Sequence, residues 1–108
     1  MYCVHGEIEL FIYASHSLKE RRSVINSLKS RLQRAFNISV ADISEDHVWQ
    51  RAKLGFALAA SSYAGLEETM ERINRHLGGL NEVEVIAFDY EFIQTGGKAE
   101  DWNAAPED

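Results

Sequence analysis

Lys19, Arg21 and Arg22 follow Ser17 within about one helical turn of the stretch HSLKERRSVINSLKSRLQR, residues 16–34. Cations there oppose the positive end of a helix macrodipole, at a cost of about 0.3–1 kcal/mol each. An external anion would relieve the conflict. Ser17 and the free N–H groups of the first turn, flanked by Lys19 and Arg22, form a candidate site for a phosphate, a carboxylate or an RNA backbone. Lys19, Arg22 and Lys29 extend this into a stripe about 15 Å long, enough to follow a few phosphates. Three charges give an expected salt slope of about −2 to −3, which suits docking on a larger RNA particle better than tight independent binding. Arg21 falls nearest the apolar arc of the same helix, where an unpaired guanidinium is expensive. A structural ion pair between Arg21 and Asp42 is expected, with Glu7, Glu9 and Asp89 as alternative partners. Arg31 and Arg34 fall on the far side as solvent-facing charges.

A second constellation is Trp49, Gln50 and Arg51. An aromatic ring, an amide and a guanidinium in sequence can stack on and hydrogen-bond a base or another flat ligand. A tryptophan just before a strand more often covers the edge of the core while its N–H reaches a carbonyl, and that is the expectation for Trp49. The histidines, His5, His16, His47 and His76, lack metal-ligand spacing, so no metal site is expected. No Walker loop or nucleophile elbow is present, and Cys3 with His5 two residues on is a weak nucleophile signal. An enzyme is not expected, nor a cofactor.

The elements that must hold these residues follow from hydrophobic periodicity. Residues 2–13 alternate apolar and polar as a half-buried strand. Ser17 with Glu20 is a capping-box pattern, after which Val24, Ile25, Leu28, Leu32 and Phe36 recur at helical spacing, predicting a helix over 18–36. Residues 38–43 form a short strand, 44–51 a polar connection and 52–61 a third strand. A second helix fits 63–77 through Leu66, Met70, Ile73 and Leu77, stopped by Gly78 and Gly79. Residues 82–93, EVEVIAFDYEFI, form the last strand. Strand, helix, strand, strand, helix, strand is the ferredoxin-like order: an α+β sandwich, with a four-stranded antiparallel sheet and two helices on one face. One domain over residues 1–94 and a disordered acidic tail over 95–108 are expected.

A chain of 108 residues with 45% hydrophobic content supports one core. Its net charge of −6 argues against coating nucleic acid by bulk attraction. The distribution differs from the sum, because residues 18–36 alone carry +5 and the remainder −11. A single cysteine fits a reducing compartment. The first residues carry Glu7 and Glu9 rather than a basic leader, and no apolar run is long enough for a membrane span, so a soluble cytoplasmic protein without membrane partners is expected.

HSLKERRSVINSL, then FNISVADISEDHVWQRAKLGFA, and finally VEVIAFDYEFI resemble the YlxP-like family of small uncharacterised bacterial proteins over residues 2–93. The resemblance implies a ferredoxin-like fold. It also implies gene neighbourhoods shared with translation and ribosome-maturation factors, hence association with ribosomal RNA or a ribosomal particle. KLGFAL at 53–58 only partly matches the aromatic pattern of an RNA-recognition motif, and an acidic sheet repels phosphate, so docking is expected through the first helix and the Trp49–Arg51 segment. The alternative is a homo-oligomeric small-molecule-binding or regulatory module associating through a sheet edge or open sheet face, which rests on fold analogy.

Overall fold

The computed structural model describes residues 1–45 and 47–96. Its elements are β1 (Tyr2–Ile12), α1 (Leu18–Ala35), β2 (Ser39–Asp42), β3 (Arg51–Ala60), α2 (Tyr63–Gly78) and β4 (Val83–Gln94). The strands form one sheet in the order β2-β3-β1-β4, with every neighbouring pair antiparallel. This is the ferredoxin-like fold. The tail expected beyond residue 94 lies outside the described residues from 97 onward; Thr95, just past β4, donates its N–H to the Met1 carbonyl at 3.0 Å.

Alternation along β1 sets the two faces of the sheet. Val4, Ile8, Leu10 and Ile12 are fully buried, whereas Cys3, His5, Glu7, Glu9 and Phe11 take the opposite face. Ala52, Leu54, Phe56 and Leu58 of β3 share the buried side, and both helices pack there. Helix α1 contributes Ile25, Leu28 and Leu32, and α2 contributes Leu66, Met70, Ile73 and Leu77, all within one core. Each fully buried aliphatic side chain stabilises the fold by about 1.5–3 kcal/mol through area removed from water.

The helices start where local chemistry dictates. The Ser17 hydroxyl accepts the Glu20 N–H at 3.1 Å, while the Glu20 carboxylate reaches back one residue past the cap to accept the His16 N–H at 2.6 Å. Ser62 caps α2 in the same way by accepting from Gly65 N–H at 3.1 Å.

Strand β4 changes phase midway. Its register with β1 shifts between Glu9 and Leu10, leaving Ile86 as the extra residue of a bulge. Val83 and Val85 therefore face the helices before the bulge, and Phe88, Tyr90 and Phe92 do so after it. Gly6 pairs with Tyr90 on one side and Phe56 on the other. A Cβ there would run into the Asp89 carbonyl and the Tyr90 backbone, so the close approach of β4 requires glycine.

Candidate functional site

The fourth residue of α1 organises the site. Arg21 is only 2% exposed, and its Nη1 donates to the carbonyl oxygens of Glu45 and Val48, each at 2.6 Å. The expected ion pair with Asp42 does not form. The Asp42 carboxylate instead accepts the Ser44 N–H at 3.0 Å, closing a local turn at the end of β2. No ion pair among the described residues includes Arg21. The physical reason is mutual need: loop carbonyls turned inward have no strand partner, and a buried guanidinium supplies donors in a fixed fork. Nε of Arg21 finds no partner among the described residues.

The segment that Arg21 holds carries Trp49, Gln50 and Arg51. Trp49 is 53% exposed, which corrects the expectation that it covers the core edge. Gln50 offers its carbonyl to the Ile12 N–H at 2.7 Å, fixing the segment to the end of β1. Arg51 donates through Nη1 to Glu9 at 3.3 Å, so its guanidinium is partly engaged by the sheet. Ser44 locks the other side of the loop, accepting the Lys53 N–H at 2.9 Å. A cavity of about 120 Å³ lies beneath, lined by Glu9, Ser44, Glu45, Arg51 and Lys53 among others. An exposed tryptophan is thus presented by a tethered loop beside the start of α1.

The cations of α1 divide differently from the sequence expectation. Lys19, Arg22 and Arg34 are exposed and Lys29 is half-buried, and none of them enters an ion pair among the described residues. Arg31, expected to be an ordinary solvent-facing charge, pairs with Glu82 at 3.0 Å. The hydrogen bond from Arg31 holds the Glu82 carboxyl below its ordinary range. At the helix start Ser17 is committed to capping, and Glu20 puts the chain's own carboxylate where an external anion was expected. Lys19, Arg22 and Lys29 remain as a basic flank without Ser17 as an anion-binding partner.

The open sheet face is unlike this flank. Glu7, Glu9, Glu84, Asp89 and Glu91 stand on it, against Arg51 and Lys53, which pair with Glu9 at 3.3 Å and Glu7 at 3.7 Å. His5 lies 3.3 Å from Glu91, while Cys3 stands opposite Ile93. The aromatic residues of β4, Phe88, Tyr90 and Phe92, lie on the helix side. Among the described strand residues the aromatic on the open face is Phe11, which packs edge-on against Tyr13 with ring centroids 5.6 Å apart.

Comparison with known proteins bears on the family. A family model described as "Protein of unknown function (DUF503)" matches residues 4–90. The chain belongs to the DUF503 family. It is also 35% identical over 79 residues to "Uncharacterized protein YlxP" of Bacillus subtilis (strain 168), a match covering 73% of this chain and 86% of that protein. The YlxP-like resemblance expected from residues 2–93 is met. The DUF503 match spans α1, the Arg21-tethered loop and most of β4. Sequence reasoning missed the role of the Glu45 and Val48 carbonyls, because a backbone acceptor leaves no residue-type signal.

No helix among the described residues is long and apolar enough to cross a membrane.

Proposed function

We propose that this protein is an RNA-docking module that binds a ribosomal or similar RNA-rich particle through the exposed flank of α1 and the adjoining Trp49 loop. The observation that carries the reading is charge segregation. Lys19, Arg22, Lys29 and Arg34 lie on α1 without carboxylate partners among the described residues, and the exposed Glu20 carboxylate is tied to His16. Five carboxylates, Glu7, Glu9, Glu84, Asp89 and Glu91, stand on the opposite sheet face and three more, Glu67, Glu68 and Glu71, on α2, so that α1 is the flank that phosphate approaches. The Arg21 tether sets Trp49 beside the basic helix start, where its ring can stack on an unpaired base while Lys19 and Arg22 meet the backbone. Three or four phosphate contacts give binding that weakens steeply with salt, with a slope of about −2 to −4.

The test is sedimentation of cell lysate through density gradients at low and at high salt. The protein should travel with ribosomal particles only at low salt. A protein that stays at the top of both gradients removes this reading.

A further inference from the structure

Among the described residues, the longest unpaired backbone runs along the outer edge of β4, far along the sheet from the β2 edge. Thr95 and Met1 exchange both backbone hydrogen bonds, with Thr95 N–H donating at 3.0 Å and the Met1 amino group donating to the Thr95 carbonyl at 3.2 Å. Antiparallel strands alternate, so Ile93, Glu91, Asp89 and Ala87 also turn their backbone groups toward β1. Phe88, Tyr90, Phe92 and Gln94 therefore point both N–H and C=O outward. From Ala87 to Gln94 the edge contains no proline, lysine or bulge, and the charges that guard it are the carboxylates of Asp89 and Glu91, which repel a like edge and leave it open to a basic one. The β2 edge, by contrast, is only four residues long.

The side chains on this edge sort by chemistry. On the helix side Phe88, Tyr90 and Phe92 form a ladder with centroid separations of 5.0 and 5.7 Å, and Tyr63 of α2 closes on Phe92 at 5.1 Å. Tyr90 and Phe92 remain 42% and 36% exposed. On the open side stand Asp89 and Glu91, with Glu7 behind them. Asp89 has no ion-pair partner among the described residues, and Lys53 is already beside Glu7. A depression of about 420 Å³ lies there, lined in part by His5, Glu7, Gly55, Asp89 and Glu91.

We infer that β4 is a strand-addition site that captures an extended segment of a partner protein, running antiparallel and alternating basic with apolar residues. The apolar residues lie beside Tyr90 and Phe92 and the basic ones over Asp89 and Glu91, while backbone pairing supplies the common part of the affinity. Charge decides the occupant. A second copy paired symmetrically about Tyr90, the register with the most aromatic overlap, would set Asp89 against Glu91 of its neighbour on the open face, and like charges directly opposite are destabilising.

The probe is a capped octapeptide of alternating lysine and valine, titrated into the full chain by calorimetry and by amide hydrogen exchange. Binding should slow exchange at Phe88, Tyr90, Phe92 and Gln94 and be weakened about ten-fold or more by the double substitution Asp89→Lys and Glu91→Lys. In an antiparallel addition, the residues that bond to the outward host residues carry side chains on the same face, here the valines. N-methylation of the valine amides should therefore abolish binding, while methylation of the lysine amides leaves it. No binding, the reverse methylation pattern, or equal binding to the double variant overturns the inference. So does a stable dimer whose contacts protect the same four amides, because a second copy would then own the edge.

Discussion

Nη1 of Arg21 lies 2.6 Å from the Val48 carbonyl oxygen, and the same nitrogen serves the Glu45 carbonyl. One atom of α1 thereby holds both sides of the turn that presents Trp49. Removing it leaves two inward carbonyls unmet, and each unsatisfied buried polar group costs about 1–3 kcal/mol. Arg21→Ala should lower unfolding stability by about 2–4 kcal/mol in urea titration, with lost packing of the buried stem included. Hydrogen exchange should accelerate selectively over residues 43–50. Asp42→Ala, which only opens a surface turn, should cost about 1 kcal/mol or less. A larger loss at Asp42 than at Arg21 would restore the ion-pair account.

The difference between those two accounts marks where sequence stops speaking. Alternation in YCVHGEIELFI and the 21, 25, 28, 32 spacing of α1 expose the core directly, because side-chain burial follows backbone period. The position of Arg21 on the apolar face was legible for the same reason. Its partners were not, since every residue type carries a carbonyl and nothing in the sequence marks which one turns inward. Trp49 was misassigned through a general tendency of tryptophan to cover cores, which the tethered loop overrides. In β4 the phase switch is written in the residues themselves: Val83 and Val85 keep one parity and Phe88, Tyr90 and Phe92 the other, with the bulge at Ile86 between them.

Lys19, Arg22 and Lys29 make no ion pairs among the described residues, so the structure gives them little to do in folding. Replacing all three with alanine should leave the melting temperature within a few degrees, since surface substitutions are usually within about 0.5 kcal/mol each. The same triple variant should lose particle association at a salt concentration the unmodified chain tolerates, with the salt slope reduced by about 2–3. A large fall in melting temperature with unchanged sedimentation would assign the flank to folding.

Glu82 and Arg31 define a pH-sensitive contact. The Arg31 hydrogen bond lowers the folded carboxyl below its ordinary value of 4.5, so the pair stabilises the fold above that value and loses its contribution as pH falls through the lowered one. Both side chains are substantially solvated, which screens the pair and limits it to about 1 kcal/mol or less. Glu82→Gln should therefore be slightly less stable than the unmodified chain at pH 7, with the gap closing in acid once the pH has fallen below the lowered value. Urea midpoints at pH 7 and in acid decide, and a gap that widens in acid would contradict the assignment.

Gly6 and Gly78 should respond in opposite directions to alanine. At Gly6 the new methyl group meets the Asp89 carbonyl and the Tyr90 backbone, neither of which is a flexible chain end, so β4 must move away from β1. Overpacking of that kind costs about 1–3 kcal/mol. At Gly78, the last residue of α2, an added Cβ meets nothing within 4 Å. Its φ is not positive, so alanine fits the helix and removes unfolded-state freedom, stabilising by about 0.4–1 kcal/mol. Thermal unfolding of the two variants gives the signs directly. Because Gly6 spaces the strand whose outer edge carries Tyr90 and Phe92, Gly6→Ala should also speed amide exchange along β4, whereas Gly78→Ala leaves it unchanged. Equal exchange in both variants would mean that β1 absorbs the extra methyl group and that glycine is not what seats the edge strand.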